Sequence, residues 1–355
     1  MQDLLRSEAA LLSPTANLIA HDTPIGTDGD YIHSVESGRE FKGLTSPIVL
    51  CHGYGMGLAA YHLNLPAISA HAHVYAKDWL GCGASSRQPW KVKGTKETED
   101  YFCNSLEEWR VAQGIERMNL VGHSLGGYLS VAYAERYPEK VERLVLVSPV
   151  GVPDQPPLEN YRKQMSLSQR SFFKVASSLW ERGVTPGSVT RFLGPWGEKM
   201  IRRYAESRFN FNNPHWKDYV YHQIANKGSG EYALNELLAP FAYARAPLCH
   251  RIPTLSQDIP IHFIYGEVDW MDHRHAVKVM EGTKGTKQSI EVVLLPGAGH
   301  QLILDEPMAF NKSLLKIVLG KDVDLERFES ARSPTPTVSE EGMENQPEAT
   351  IGASI

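Results

Sequence analysis

The sequence predicts an α/β fold: a mostly parallel, doubly wound sheet into which a helical cap is inserted. Three observations support this prediction. Short apolar runs alternate with stretches of helical spacing through most of residues 45–320. Glycine-rich loops follow several of these runs, where a parallel sheet would place the carboxyl ends of its strands. Between residues 153 and 252 the strand pattern disappears and aromatic residues become frequent.

Strands and helices alternate along the predicted core. Short runs rich in apolar and β-branched residues predict buried strands at 47–52, 72–78, 118–121, 141–147, 259–265 and 289–294. Apolar residues at helical spacing predict helices at 101–114, 128–137 and 307–319. Gly114 and Pro138 end the first two of these helices. Alternation of this kind implies a mostly parallel sheet.

The chain divides into segments of different composition. We expect an N-terminal segment with the first strands at 1–44, a core at 45–152 and 253–320, a helical cap at 153–252, and a disordered acidic tail at 321–355. The tail has too few apolar residues to offset the entropy of ordering. The cap aromatics include Phe209 and Phe211. The first residues predict a short amphipathic helix, either frayed or packed on the protein, or in contact with a membrane.

Charge is distributed unevenly along the 355 residues. The chain carries 36 basic and 41 acidic residues, a net charge of −5, which argues against nucleic acid as a partner. Residues 154–252 hold 14 Lys and Arg against 8 Asp and Glu, whereas residues 322–355 hold 2 against 8. We therefore expect basic cap residues such as Arg202 and Arg203 to contact an anionic lipid surface.

Composition also bears on location. The four cysteines form no CxxC pair, which indicates reduced thiols and a cytoplasmic protein. No apolar run approaches the roughly 18 residues of a membrane span, and the N-terminus lacks the basic region of a signal peptide. A protein partner is not indicated by the sequence.

The strongest chemical motif is G-x-S-x-G at Gly122-His-Ser124-Leu-Gly126, after a predicted strand and before a predicted helix. A serine on such a sharp turn has its hydroxyl exposed above the edge of the sheet. The two glycines leave room for the backbone segments that pass close to the turn. Ser124 is therefore the predicted nucleophile.

A serine nucleophile needs a general base, and the base needs an acid that orients it. Asp269 and His300 each follow a predicted strand, at the sheet edge where Ser124 is expected. The rival acids are Glu267 and Asp272. The pairs His71/His73 and His273/His275 have no companion ligands in the sequence, so we interpret them as packing or surface residues and predict no metal site.

The tetrahedral intermediate of acyl transfer also needs hydrogen-bond donors for its oxyanion. We predict one donor in the backbone N–H of Leu125, directly after the nucleophile. The second should come from the glycine loop at 52–57, where we favour the Tyr54 N–H over that of Gly55. Gly53 and Gly55 allow close backbone approach.

The Asp78–Ser85 loop is interpreted as structural. No dinucleotide-binding motif is present, so no cofactor is predicted.

Together these motifs resemble the α/β-hydrolase superfamily over roughly residues 45–320, with the chain order nucleophile, acid and base. Cap segments at 194–197, 219–222, 229–231 and 246–252 look like those of one lipid-acting subfamily. It includes N-acyl-phosphatidylethanolamine lipase, the fungal cardiolipin deacylase, plant phospholipase/acyltransferase relatives and the coactivator of adipose triglyceride lipase. The coactivator has asparagine at the nucleophile position, so Ser124 places this chain with the catalytic members.

The resemblance implies a serine hydrolase that cleaves acyl esters of glycerolipids, either phospholipid or lysophospholipid. The same subfamily carries an H-x4-D element linked to lysophosphatidic acid acyltransferase activity, present here as His300 and Asp305. In that alternative acyl-CoA would be a co-substrate. We favour hydrolysis, because His300 cannot serve two dyads at once, and we predict that Asp305 caps the helix at Pro307. A lipid-surface scaffold for another lipase is the third alternative. The resemblance also implies peripheral contact of a cytoplasmic protein with membranes or lipid droplets, with a mitochondrial location as the alternative.

Overall fold

The computed structural model describes residues 1–156, 166–208 and 213–329. At its centre is an eight-stranded sheet in the order β1-β2-β4-β3-β5-β6-β9-β10. Its strands are β1 (Ile19–Ile25), β2 (Asp30–Ser37), β3 (Ile48–Cys51), β4 (Val74–Lys77), β5 (Met118–His123), β6 (Val141–Val147), β9 (Ile261–Gly266) and β10 (Ile290–Leu295). The pairs β1–β2 and β2–β4 are antiparallel and the other five pairs are parallel. The predicted fold class is therefore confirmed.

Helices cover both faces of the sheet. The core helices are α1 (Gln2–Leu12), α2 (Leu65–Ser69), α3 (Gly94–Ala112), α4 (Leu125–Arg136), α11 (Arg274–Gly282), α12 (Leu302–Asp305), α13 (Pro307–Leu319) and α14 (Glu326–Glu329). Successive side chains of a strand point to opposite faces. Accordingly Val49 and Cys51 pack with α3 and α4, while Ile48 and Leu50 pack with α2 and α13. The two buried clusters hold the sheet, and with it the site at its edge, in a fixed position.

The cap comprises α5 (Leu167–Glu181), α6 (Pro186–Phe192), α7 (Pro195–Arg208), α8 (Pro214–Ala225), α9 (Ala233–Leu237), the short strands β7 (Leu238–Ala239) and β8 (Tyr243–Ala244), and α10 (Leu248–Arg251). Phe209 and Phe211, counted among its predicted aromatics, lie outside the described residues. The chain leaves and re-enters the core side by side: the N–H groups of Leu248 and Cys249 donate to the carbonyls of Gly151 (2.8 Å) and Val152 (2.9 Å).

The N-terminal helix α1 packs on the protein. Leu4, Leu11 and Leu12 are buried, so these side chains are not available to a membrane. The helix lies against cap helix α8. It is also tied to the sheet, because buried His33 on β2 bonds to Glu8 of α1 (2.8 Å) and to Asp22 (2.6 Å). Burial alone would lower the pKa of His33, but the hydrogen bond and charge of Glu8, aided by Asp78 and Asp22, raise it to about 10.

The chain is ordered beyond the predicted start of the tail. Leu325 is buried and α14 follows it, so the boundary at 321 is wrong by at least nine residues. The reason is that Val323, Leu325 and Phe328 supply enough apolar surface to pack on the cluster that contains α13. Residues 330–355 lie outside the described residues, and disorder there stays a prediction. Within the described residues no helix is long and apolar enough to cross a membrane.

The Asp78 loop has the structural role that its motif predicts. The buried Asp78 carboxylate accepts hydrogen bonds from the backbone N–H groups of Leu58 and Ala84, both at 2.7 Å. Gly83 has φ +52°, and a Cβ built on it would lie 1.9 Å from Asp78 Oδ2. Only a glycine fits there without displacing the carboxylate.

We expect Gly83→Ala to lower the free energy of unfolding by about 3 kcal/mol or more, because it displaces a buried charge from its donors and strains the backbone. Gly282→Ala is the matched control: its Cβ would meet nothing within 4 Å, at an ordinary φ. The control should change stability by less than about 0.5 kcal/mol. Urea unfolding of both variants measures the difference, and equal stabilities would contradict a structural role for the loop.

Candidate active site

Ser124 lies on a strained turn between β5 and α4, with φ 52° and ψ −116°. A non-glycine residue rarely adopts this conformation and needs surrounding structure to hold it. Here the Ser124 N–H donates to the Val147 carbonyl (2.9 Å), and the Ser124 carbonyl accepts from Gly127 (3.0 Å) and Val150 (3.2 Å). These bonds to α4 and to the neighbouring strand end hold the serine above the edge of the sheet.

The glycines of the motif are required by close packing. A Cβ on Gly122 would lie 2.4 Å from the Gly126 carbonyl oxygen, and a Cβ on Gly126 would lie 2.5 Å from that of His52. Both atoms are backbone and cannot move aside cheaply. The G-x-S-x-G pattern is therefore the local condition for the sharp turn at Ser124.

The three predicted catalytic side chains lie together. His300 Nε2 is 3.1 Å from Ser124 Oγ, and His300 Nδ1 is 3.1 and 3.3 Å from the two oxygens of Asp269. The Asp269 side chain is fully buried, while that of His300 is 12% exposed. Asp269 Oδ1 also accepts the Met271 N–H (2.8 Å), which holds the carboxylate in place. In this arrangement Nδ1–H donates to Asp269, so that Nε2 can accept the serine proton.

The two rival acids bond elsewhere. Glu267 Oε2 accepts the Gly297 N–H at 3.1 Å. Asp272 accepts from the backbone and guanidinium of Arg274, and these hydrogen bonds lower the pKa of the carboxyl to about 2. His300 Nδ1–H donates to Asp269 instead.

The glycine loop at 52–57 passes over the nucleophile. A Cβ on Gly53 would lie 2.9 Å from Ser124 Cβ, so this backbone approaches the serine as closely as glycine allows. Gly55 has φ +69° and faces open space. The Leu125 N–H stands at the first turn of α4, where backbone donors have no partner within the helix. The loop and helix end flank Ser124, and the oxyanion roles of Leu125 and Tyr54 remain predictions.

A cavity extends from this loop beneath the cap. It is lined by residues of the core and of the cap, including His52, Tyr54, Leu125, Leu129, Gln223 and Ile224. The lining is mostly apolar and continuous with the predicted oxyanion donors. Its volume is about 40 Å³, and Ser124, Asp269 and His300 are not among the residues that line it.

His123 is a site residue that the sequence analysis missed. Its Nε2–H donates to the His300 carbonyl at 2.9 Å, which supports the loop that carries the base. Burial, and then the charge of nearby His300, lowers the pKa of His123 to about 3. It is therefore neutral at physiological pH and adds no fixed charge beside the base. Its position inside the G-x-S-x-G motif was the available signal.

The prediction that Asp305 caps the helix at Pro307 is wrong. The N-cap of α13 is Glu306, and Asp305 is the last residue of the one-turn helix α12. This turn directs the carboxylate back toward the His300 loop, where Asp305 Oδ2 accepts the Gly299 N–H at 2.9 Å. The H-x4-D spacing thus places Asp305 as an anchor of the loop that presents His300.

His73, of the pair His71/His73, is a buried packing residue. His73 Nε2 bonds to Glu36 (2.8 Å) and its ring packs on Tyr75, as expected of a core residue. Within the described residues one group offers three potential metal ligands, namely exposed Asp154 and His250 with partly buried Cys249.

The fold and this geometry define an α/β-hydrolase. The chain belongs to that family, because residues 46–307 match the family described as alpha/beta hydrolase fold. It is 35% identical over 280 residues to a 1-acylglycerol-3-phosphate O-acyltransferase of Arabidopsis thaliana, covering 76% of this chain and 65% of that protein. The chain therefore spans just under two thirds of the length of that plant relative.

A mouse relative is similar over a larger share of its length. It is a (Lyso)-N-acylphosphatidylethanolamine lipase, 35% identical over 297 residues, covering 82% of this chain and 84% of the mouse protein. Among solved structures, a membrane phospholipase A, described as a bacterial virulence factor, superimposes with a TM-score of 0.64 at 21% identity, over 89% of this chain and 90% of that one. The carboxylesterase CesB of Bacillus subtilis superimposes with a TM-score of 0.62 at 20% identity, over 90% and 100%. These structural likenesses concern the fold.

Proposed function

We propose that this protein is a serine hydrolase that cleaves acyl esters of glycerolipids, either phospholipids or lysophospholipids. The observation that carries the proposal is the continuous hydrogen-bond chain from Ser124 through His300 to Asp269. Such a chain removes the serine proton as the hydroxyl attacks a carbonyl.

In the proposed mechanism Ser124 Oγ attacks the acyl carbonyl while His300 Nε2 takes its proton. Asp269 stabilises the imidazolium that forms. The backbone N–H groups of Leu125 and Tyr54 stabilise the oxyanion. His300 then protonates the leaving glycerol oxygen, and a water molecule, deprotonated by the same imidazole, releases the fatty acid from Ser124.

Two observations support a lipid substrate. The relatives from mouse and Arabidopsis carry names that refer to glycerophospholipids and their lyso forms. The small cavity beside the elbow has a mostly apolar lining to which the cap contributes, and this lining matches the chemistry of a fatty acyl chain. Neither observation selects a head group, so phospholipids and lysophospholipids both remain candidate substrates.

The test is release of fatty acid from a panel of phospholipids and lysophospholipids by the purified protein, measured by mass spectrometry. A fluorophosphonate probe should form an adduct on Ser124 and stop the release. Release that continues after complete labelling of Ser124 would contradict the mechanism. Protein that hydrolyses no lipid but raises the activity of a separate lipase would favour the scaffold alternative.

The acyltransferase alternative is favoured by the name of the plant relative and by the H-x4-D spacing. It can use the same acyl-enzyme, if the hydroxyl of lysophosphatidic acid replaces water and acyl-CoA supplies the acyl group. Labelled acyl-CoA with lysophosphatidic acid tests it, and absence of labelled phosphatidic acid excludes it.

We expect Asp305→Asn to lower kcat by less than about tenfold in either assay, because asparagine still offers an oxygen to the Gly299 N–H. The variant retains the loop anchor but loses the charge. Steady-state kinetics beside the wild type measure the effect. A loss of about 10⁴-fold, as expected for removal of a member of a catalytic triad, would give Asp305 a direct catalytic role.

Location remains a proposal as well. We propose a cytoplasmic protein in peripheral contact with membranes or lipid droplets, supported by the lipid-related names of its relatives and the excess of basic residues in the cap. A mitochondrial location is the alternative. Fractionation of cells, with markers for cytosol, droplets and mitochondria, distinguishes these locations.

A further inference from the structure

The cap presents large apolar side chains to solvent at the junction of α6 and α7. Phe192 is 90% exposed and Trp196 is 77% exposed. Leu193 and Met200 are also exposed. Single exposed apolar residues are ordinary on a protein surface, but neighbouring ones that include two aromatics mark an interaction site.

This surface continues along one face of α7. Trp196, Lys199, Met200, Arg203 and Tyr204 follow the spacing i, i+3, i+4, i+7 and i+8, which places them on one side of the helix. Ile201 and Ala205, on the opposite side, are buried in the protein. We call Phe192, Leu193, Trp196, Lys199, Met200 and Arg203 the outer cap face.

Neighbouring arginines on α7 differ in their contacts. Arg202 is held by Glu198 (2.9 Å) and by Asp218, so its charge is already paired. Lys199 and Arg203 form no ion pair with any residue in the part of the chain that the structure describes. The outer cap face therefore combines exposed aromatic and aliphatic groups with two cations, whereas lipid contact by Arg202 stays a prediction.

We propose that the outer cap face binds the surface of an anionic phospholipid membrane, with Phe192 and Trp196 inserted among the lipids. This inference rests on the proposed lipid hydrolase function. Tryptophan and phenylalanine are favoured at the boundary between head groups and acyl chains, and basic residues beside them interact with anionic head groups. A protein partner or a second copy of the chain would need acidic residues placed opposite Lys199 and Arg203. An anionic membrane offers both an apolar interior for the aromatic side chains and negative charge for the two cations.

The test is flotation with vesicles of pure phosphatidylcholine and of phosphatidylcholine with phosphatidylserine. The wild type should float with the anionic vesicles. Phe192→Ser combined with Trp196→Ser should lower the partition coefficient at least about tenfold.

Lys199→Glu combined with Arg203→Glu should abolish the preference for anionic vesicles. Salt at 1 M should do the same to the wild type, because the Debye length falls to about 3 Å and the charges are screened. The matched control is Leu44→Ser with Val111→Ser, two exposed apolar residues of the core, which should bind as the wild type does.

Two further measurements separate this inference from the proposed function. All surface variants should hydrolyse a short, water-soluble ester at the wild-type rate, which also shows that they are folded. Ser124→Ala should bind vesicles normally although its hydrolysis is slowed by about 10⁶-fold. Equal flotation of the wild type and the Phe192→Ser, Trp196→Ser variant would overturn the inference. So would a dimer of the wild type that this double substitution dissociates while vesicle binding persists.

Discussion

Replacing Ser124 with alanine is expected to lower kcat for lipid ester hydrolysis by about 10⁶-fold. Without the hydroxyl there is no atom at 3.1 Å from His300 Nε2 that can form the acyl-enzyme. The donors at the glycine loop and at α4 remain, so a small rate above that of the uncatalysed reaction should persist. Fatty acid release under single-turnover conditions, with the enzyme in excess, measures both rates.

The control for this experiment is Ser105→Ala. Ser105 is buried within α3, and its hydroxyl donates to the Phe102 carbonyl of the same helix (3.0 Å). This variant should keep the wild-type kcat within about twofold, at an unfolding free energy lowered by about 1 kcal/mol or less. Hydrolysis by Ser124→Ala at a tenth of the wild-type rate or faster would exclude the acyl-enzyme mechanism.

Asp269→Asn should lower kcat by about 10⁴-fold. The change preserves size, but the amide NH₂ can donate to His300 Nδ1. That donation favours the tautomer with a proton on Nε2, which cannot accept the proton of Ser124. The carboxylate also stabilises the imidazolium from a fully buried position, where no water can replace it.

The rival acids provide matched controls for Asp269. Asp272→Asn and Glu267→Gln make the same chemical change within three residues of it, at carboxylates that bond to Arg274 and to the Gly297 N–H. Each should retain kcat within about fivefold, since neither carboxylate contacts His300. If Asp272→Asn lost its activity and Asp269→Asn kept it, the role of orienting His300 would belong to Asp272.

The parts of the fold and site that could be predicted from the sequence are those set by local constraints. The apolar run of β3 and the glycines around Ser124 depend on contacts within or next to a few residues. The positions of Asp269 and His300 followed because parallel strands all end at one edge of the sheet. Long-range contacts were harder to predict. The hydrogen bond from His123 to the His300 backbone, for example, joins residues 177 positions apart.

The cap shows why side-chain environment was not predictable. Trp196 and Trp216 both lie near the start of amphipathic cap helices, yet Trp196 is 77% exposed and Trp216 is fully buried. Arg202 and Arg203 are adjacent, but only Arg202 has Glu198 and Asp218 as partners in the described structure. Composition predicts a basic, aromatic cap, and only the packing of the helices determines which side chains point outward. Asp305 is similar, because its role depends on the turn of α12.

The hydrogen-bonded backbone segments at the two ends of the cap have an evolutionary consequence. Leu248 and Cys249 are hydrogen-bonded to Gly151 and Val152, so the segment 153–247 begins and ends at the same place on the core. An inserted segment whose ends are adjacent can change in length and sequence during evolution without changing the register of the sheet. Chimeras joined at these positions would carry one relative's cap on another's catalytic machinery, so that lipid selectivity and chemistry could be inherited separately.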